Sequence, residues 1–205
     1  MFETLKSGGI IMIPIILCGL FATYIIVERC IYFVITKKRD SILLKNVLSF
    51  LNNDDYESCV RLCREVETPT ANVILKALQS RNLSEKDLRE IVETQMDLEI
   101  PSYEHLLTTL GTISSIATLL GLLGTVTGNI KAFGVLGAGG TMGDPALLAG
   151  AIAEALVTTV AGLCVSIPSL IFHNFFVSQV NHKIVEIQTV ATQVIFKILG
   201  KSKNL

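Results

Sequence analysis

The chain has 205 residues, half of them apolar, and its 17 basic and 18 acidic side chains leave a formal net charge of -1. Of these 35 charged residues, 23 lie between Lys37 and Glu104, so long uncharged tracts flank a single charged segment. This segregation predicts an all-α integral membrane protein with one large polar loop. The loop carries ten basic and thirteen acidic residues, a balance that argues against a nucleic-acid-binding protein.

The first predicted transmembrane helix covers residues 10–35 and follows an external N-terminal segment, residues 1–9. The stretch from Gly8 to Val27 has no charged residue, and a run of this length can cross a hydrocarbon core of about 30 Å. A cleaved signal peptide is the alternative, but a small-residue cleavage pattern is missing, so a retained anchor is expected. The basic cluster 37–39 predicts that the next loop is cytoplasmic and the N-terminus external, because Lys and Arg are enriched in cytoplasmic loops.

Residues 36–105 form this predicted cytoplasmic loop, and its sequence predicts a layer of helices. Helix-start signals occur at residues 53–54, at Pro69 and at Ser84. The helix that begins near Ser84 is predicted to bend or break at Pro101 and then to run on into the second span.

Five cysteines are scattered through the predicted spans and the loop: Cys18, Cys30, Cys59, Cys63 and Cys164. Cys59 and Cys63 stand four residues apart, but further ligand residues do not accompany them. We therefore predict reduced thiols, no metal site and no cofactor.

The second and third spans are predicted at residues 106–133 and 145–177, joined by an external turn at 134–144. Gly134 to Gly143 contains five glycines and no charge, and the Asp144-Pro145 pair that follows is typical of a helix start. Basic residues follow the third span, which predicts that the C-terminal segment is cytoplasmic.

The C-terminal segment, residues 178–205, is predicted to continue as a helix with apolar positions that recur at steps of three and four. These positions are Val177, Val180, Ile184, Ile187, Ala191, Val194 and Ile198. A period of 3.5 residues favours bundling with further copies of the chain. Packing of the helix on its own loop or on the membrane surface is the alternative.

Glu154 is the only charged residue of the predicted third span, and a carboxylate in a membrane span is costly enough to mark a functional site. Small or polar residues follow it at helical spacing: Thr158, Gly162, Ser166, Ser169 and His173. The second span has a comparable seam: Gly111, Ser114, Thr118, Gly121, Thr125 and Gly128. Close packing of helices accounts for the glycines. The two seams can face each other or a shared interior.

Residue counting predicts that Glu154 and Thr125 lie at one depth, each roughly 12 to 14 Å below the outer ends of their helices. A desolvated carboxyl group at this depth could take up a proton from one side and release it to the other. The alternative is a buried acid that hydroxyl groups of a neighbouring helix satisfy, and that only fixes the bundle.

Two motifs resemble a known family. Residues 119–128, LLGLLGTVTG, with Ala132 and Phe133, are similar to the second-span signature of the MotA/TolQ/ExbB proton-channel proteins. Residues 152–163, IAEALVTTVAGL, with Ile167-Pro168 and Asn174 further on, resemble their third-span signature. The three predicted spans and the short loop resemble the ExbB and TolQ branch, with ExbB first, more than the four-span MotA branch.

The resemblance implies roles for individual residues. Glu154 matches the channel carboxylate, and Thr125 and Thr159 match the threonines that line the pore, while helical geometry puts Thr158 nearer than Thr159 to the Glu154 face. The remaining candidates line the pore or pack the helices, namely Gly121, Gly124, Gly128, Gly162 and Ser166.

The resemblance also implies an assembly. It predicts a homopentameric ring around a central pore in the bacterial inner membrane, with the N-terminus periplasmic and the C-terminus cytoplasmic. A dimer of ExbD- or TolR-like single-span partners would occupy the pore, and movement down the proton gradient would drive work on a TonB- or TolA-like protein. Coupling to protons or to sodium ions stays open.

The residues are also compatible with, or argue against, other classes of function. A TolQ-like subunit of an envelope-maintenance motor and a non-conducting membrane scaffold are the alternatives. A stand-alone transporter is disfavoured because the three spans show no inverted repeat. An enzyme is not expected because the sequence lacks a recognisable nucleophile and base pair, metal cluster or phosphate-binding loop.

Overall fold

The structure is a computed structural model, and it describes residues 9–138 and 145–200. These residues form helices, and no strand occurs among them. The helices are α1 (Met12–Asn52), α2 (Tyr56–Val66), α3 (Pro69–Gln79), α4 (Glu85–Glu104), α5 (Leu107–Ala138) and α6 (Pro145–Ile198). The prediction of an all-α protein is confirmed.

Three stretches of the described chain are long and apolar enough to cross a membrane: α1, the α4–α5 segment Glu85–Gly137, and α6. Large apolar side chains on these helices are exposed, among them Leu20, Leu119 and Val160. A helix satisfies its backbone hydrogen bonds internally, so it can present such side chains to lipid at little cost. The predicted integral membrane protein with three long apolar helices is therefore confirmed.

The helices extend beyond the predicted spans. Helix α1 continues without a break to Asn52, well past residue 35, and α6 is one helix from Pro145 to Ile198. Residues 134–138, predicted as the start of the external turn, are the last turn of α5. Helices tolerate an isolated glycine at a cost of about 1 kcal/mol, so the glycines at 134 and 137 do not end this one. Residues 139–144, including the predicted cap Asp144, lie outside the described residues.

The chain divides into two compact units. Among the described residues, the first unit contains residues 9–28 together with those of Leu106–Phe175, and the second contains Arg29–His105 together with residues 176–200. In the first unit, α5 and α6 pack against each other, and Gly19 of α1 lies close to Val165 of α6. The second unit contains the three short helices.

Side-chain caps begin the three short helices of the second unit. Thr68 accepts a hydrogen bond from the Ala71 amide before Pro69, and Ser84 accepts one from the Asp87 amide, so these two predicted starts are confirmed. Helix α2 begins later than residues 53–54 predicted, because Asp55 caps it by accepting a bond from the Ser58 amide at 3.1 Å. These hydrogen bonds from Ser58 lower the pKa of Asp55.

Helix α4 is not broken at Pro101. It passes through this proline and ends at Glu104, and the break comes at Leu106, whose φ of 62° is left-handed. A left-handed residue ends the helical hydrogen-bond pattern, so α5 begins afresh at Leu107. The break that was predicted, as the alternative to a bend, at Pro101 therefore lies at Leu106 instead.

A buried ionic cluster ties the second unit together. Asp40 is fully buried in α1 and accepts hydrogen bonds from Thr68 at 2.6 Å and Thr70 at 2.7 Å. The Lys183 ammonium of α6 lies 2.9 Å from the Asp40 carboxylate and 2.7 Å from that of Glu186. Burial alone would lower the pKa of Lys183, but its bonds to Glu186 and Asp40 outweigh burial and raise that pKa.

This shift predicts how stability depends on pH. Because the folded state raises the pKa of Lys183 above 10.5, its contribution is fully present below pH 10.5. The contribution is lost as the pH rises through the folded-state pKa. Thermal unfolding measured from pH 7 to 12 is expected to show that the parent loses stability at alkaline pH and that Lys183→Met loses less. An equal loss in both proteins would contradict the raised pKa of Lys183.

Candidate ion site between two long helices

The small residues of α5 and α6 lie where the two helices come closest. A Cβ atom added to Gly128 would lie 2.5 Å from Cβ of Ala155, and one added to Gly124 would lie 2.5 Å from Cβ of Thr158. The same atom on Gly121 would lie 3.3 Å from the backbone of Thr159. The two polar seams therefore face each other within one chain, as small residues at a helix interface allow.

A hydroxyl cluster connects the same two helices further along. Thr118 donates to the Ser166 hydroxyl at 2.6 Å, and Ser114 donates to the Ser166 carbonyl at 3.0 Å. Ser114 and Ser166 are both buried. A hydroxyl group without a partner is costly in an apolar environment, so these bonds stabilise the register of the two helices.

His173 also has a packing role. Its Nδ1 lies 2.9 Å from the Leu107 carbonyl oxygen, and its ring lies against Gly111, where a Cβ would come within 3.0 Å of it. Leu107 is the first residue of α5, so this contact joins His173 of α6 to the beginning of α5. The geometry supports a structural role for this residue.

Glu154 forms an ion pair with Lys131. The lysine Nζ of α5 lies 2.6 Å from Oε1 of Glu154 in α6. The Glu154 side chain is 26 % exposed and that of Lys131 is 57 % exposed in the single chain. Glu154 of α6 thus has a cationic partner on α5. The sequence analysis did not predict this pair.

Gly9 lies against the same carboxylate. Its φ of 64° is left-handed, and a Cβ atom added there would overlap Oε1 of Glu154. Glycine adopts this conformation without steric cost and leaves room for the oxygen, so both requirements are met by this residue type. Oε1 is therefore flanked by an ammonium group on one side and by main chain on another.

The three candidate threonines bond to main-chain carbonyl oxygens. Thr158 is buried and donates to the carbonyl of Glu154, one turn back in α6. Thr159 donates across the helix pair to the Gly121 carbonyl at 2.9 Å. Thr125 donates to the Leu122 carbonyl of its own helix at 2.6 Å. Their hydroxyl oxygens keep lone pairs that can accept a further hydrogen bond.

Glu154 and Thr125 are not at one depth. Gly128 faces Ala155 and Gly124 faces Thr158, so Thr125 lies about one turn, roughly 6 Å, along the helix pair from the level of Glu154. The prediction of equal depth was wrong because α5 continues past Phe133, from which its depth was counted. Thr158, rather than Glu154, is level with Thr125.

Potential metal ligands are sparse in the described residues, where no group of three His, Cys, Asp or Glu side chains could hold a metal ion. Cys59 and Cys63 are buried next to each other in α2, and all five cysteines are free thiols. Hydrogen bonding to Cys59, together with burial, raises the pKa of the Cys63 thiol, which keeps it protonated.

Sequence reasoning identified Glu154 but missed Lys131 and Gly9. Lys131 carried a signal, because it is the single cation between Leu106 and Ala138. It lies near the end of the predicted span 106–133, where a lysine can reach the membrane interface, so the sequence does not distinguish an interfacial residue from an ion-pair partner. Gly9 carried no signal beyond its residue type, since its contact depends on how α1 lies against α6.

These features define a membrane protein in which an acid with a charged partner lies between two long apolar helices. Residues 65–189 match the sequence profile of the MotA/TolQ/ExbB proton channel family. The match includes α5, most of α6 and the Glu154 motif, and the chain belongs to this family.

Individual relatives agree with the family. The ExbB-like 3 biopolymer transport protein of Synechocystis is 32% identical over 171 residues, covering 83% of this chain and 81% of the relative. The biopolymer transport protein ExbB of Neisseria meningitidis is 29% identical, covering 83% and 84% of the two chains. The Tol-Pal system protein TolQ of Haemophilus influenzae is 37% identical over 86 residues, covering 42% of this chain and 37% of TolQ. The relatives of this chain thus include proteins named ExbB or ExbB-like and a protein named TolQ.

Proposed function

We propose that the chain is the ExbB-like subunit of a proton-driven motor in the bacterial inner membrane. It would act with an ExbD-like partner and transmit work to a TonB-like protein for import across the outer membrane. Glu154 carries this proposal, because an acid between two long apolar helices, within the family's third-span motif, is suited to exchange protons. Relatives named as biopolymer transport proteins support the ExbB branch.

The proposed assembly is a homopentamer around a central pore, with a dimer of single-span partners inside it. The N-terminus would be periplasmic and the C-terminus cytoplasmic, following the basic residues after the first and third spans. Glu154 would exchange the proton, while Thr125, Thr158 and Thr159 would contribute hydroxyl oxygens to its path. Gly121, Gly124, Gly128, Gly162 and Ser166 would hold the helix pair that carries these residues.

The energy available to such a motor is sufficient for a conformational step. One proton crossing a membrane potential of about 100 mV releases about 2.3 kcal/mol. This is enough to change the ratio of two conformations by roughly fiftyfold, since 1.4 kcal/mol corresponds to a factor of ten. A cycle in which each proton biases one step of the partner is therefore physically reasonable.

Glu154→Gln is expected to abolish proton-driven flux while leaving expression and assembly intact. The amide keeps the size of the side chain and its capacity to hydrogen bond, but it cannot bind and release a proton near neutral pH. Flux is measured as the dissipation of a pH gradient in liposomes that contain the full chain and its co-purified partner. Uptake supported in cells provides the second readout.

Glu90→Gln is the matched control, because it makes the same change at an exposed acid of α4 that is not part of the Asp40–Lys183–Glu186 cluster. Its flux is expected to equal that of the parent. If Glu154→Gln retained parental flux at normal expression, Glu154 would not be the proton-exchanging group and the proposed motor would be wrong.

Two observations favour a second candidate, a non-conducting membrane scaffold. Glu154 is ion-paired with Lys131, and the glycines of both seams pack the helices. A scaffold would assemble with its partner yet show no proton flux in the same liposomes. The TolQ-like alternative is separated by complementation, since a TolQ-like chain would restore envelope integrity and an ExbB-like chain would restore import.

A further inference from the structure

We propose that Lys131 is a positioning residue that acts as a latch on Glu154. While its ammonium group bonds to Oε1, this oxygen is not available to a proton, and the path opens fully when Lys131 moves away. This inference rests on the proposed proton-exchange role of Glu154. It adds a gating residue from outside the third-span motif, on a different helix.

The geometry of the pair supports a bond that is strong when made. The Nζ to Oε1 distance of 2.6 Å is short for a hydrogen bond between an ammonium group and a carboxylate. The ammonium occupies Oε1, one of the two oxygens to which a proton can be added. The partners belong to α5 and α6, so the bond joins the two helices that carry the proposed path.

Exposure of the two side chains supports a bond that can open. Lys131 is 57 % exposed, so its ammonium group can leave Glu154 and reach solvent or another acceptor. Lysine has a flexible four-carbon stem and three donors, which allows this movement without a change in the backbone. Glu154 is only 26 % exposed, so its side chain has less freedom to move than that of the lysine. This asymmetry makes Lys131 the mobile partner.

Gly9 restricts the alternative movement, in which the carboxylate would turn away from the lysine. Its main chain lies against Oε1, and a side chain there would overlap that oxygen. With one side of Oε1 occupied by main chain and another by the ammonium group, the pair opens through Lys131. A cation beside the carboxylate also repels an incoming proton, as fixed positive charges do in other selective pores.

Reactivity toward a carbodiimide tests the latch without relying on transport. Carbodiimides modify protonated carboxyl groups, so the labelling rate of Glu154 reports how readily it is protonated. The full chain in membrane vesicles is treated with dicyclohexylcarbodiimide at pH 7, and labelling of Glu154 is followed by peptide mass spectrometry. Lys131→Met is expected to label several-fold faster than the parent, because the variant frees Oε1 of Glu154 from the ammonium group that occupies it.

Two matched variants separate the charge of Lys131 from its other properties. Lys131→Arg keeps the cation and is expected to label at the parental rate. Lys197→Met removes a lysine from the end of α6 and should also leave the rate unchanged. Labelling of Lys131→Met at the parental rate would overturn the latch, and so would equally fast labelling of Lys131→Arg.

Proton flux then tests the gating role. Liposomes containing Lys131→Met and the co-purified partner are expected to leak protons several-fold faster at rest than the parent. The double variant Lys131→Met with Glu154→Gln should lose this leak. Faster labelling without a faster leak would overturn the gating role. Undiminished flux in Glu154→Gln alone would instead refute the proposed function, whereas the labelling result does not depend on flux.

Discussion

Asp40→Ala is expected to lower the free energy of unfolding of the second unit by about 3–5 kcal/mol, the usual cost of removing one partner from a buried ion pair. Asp40 is fully buried, and three groups from other parts of the chain bond to its carboxylate: Thr68, Thr70 and Lys183. Alanine leaves all three without this acceptor. The Lys183 ammonium retains Glu186, so the loss is not that of a wholly isolated charge.

The measurement is thermal and chemical unfolding of the detergent-solubilised full chain, followed by circular dichroism. Glu85→Gln is the control, since it disrupts an ion pair with Arg89 whose side chains are more than a third exposed. Such a surface pair contributes at most about 1 kcal/mol. A loss of stability in Asp40→Ala no larger than that in Glu85→Gln would show that the buried cluster does not hold the second unit together.

A double variant distinguishes the effect of the ion pair from the effect of filling the same buried space with apolar side chains. Asp40→Leu combined with Lys183→Met replaces both charges with apolar side chains of similar length. Because desolvated charges are costly, such replacements often recover stability that single variants lose. We expect the double variant to be more stable than Asp40→Ala. The hydroxyl groups of Thr68 and Thr70 limit this recovery, since they lose the carboxylate that accepts their hydrogen bonds.

Hydropathy and capping predict most of the fold because they depend on local physics. A membrane helix satisfies its own backbone, so uncharged length alone predicts α1, α5 and α6. Ser84 predicts a helix start because its side chain bonds to a nearby amide, and Pro69 predicts one because its fixed φ suits the first helical turn. Leu106 could not be predicted as a break, because a left-handed leucine is imposed by its surroundings and is not a preference of the residue.

The candidate site was predicted only in part. Glu154 stands out because a charge in an apolar run is costly, and this is a property of the sequence itself. Its pairing with Lys131 depends on the register between α5 and α6, and the sequence predicts where these helices end only to within about a turn. An error of one turn moves the residue facing Glu154 by roughly 6 Å along the helix. The sequence therefore predicted Thr125 at the level of Glu154, whereas the residue of α5 that bonds to Glu154 is Lys131.

Gly162→Ala is expected to destabilise the first unit by about 1–3 kcal/mol, although alanine favours a helix over glycine by about 1 kcal/mol. The added Cβ would lie 2.6 Å from the Ala117 carbonyl oxygen and 2.9 Å from Cα of Gly121. Both are main-chain atoms of α5, which cannot rotate away as a side chain would. The two helices must therefore separate, and the hydrogen bond from Thr159 to the Gly121 carbonyl lengthens with them.

Gly150→Ala gives this prediction a control of opposite sign. Gly150 lies in the same helix, and its added Cβ would meet nothing within 4 Å in the described chain. Its stability should therefore equal or exceed that of the parent, because only the helix preference changes. Thermal unfolding of the two variants in the same detergent measures the difference. If both variants shifted the unfolding temperature equally and in the same direction, the glycines of α6 would act through helix preference alone. Close approach of α5 and α6 at Gly162 would then be refuted.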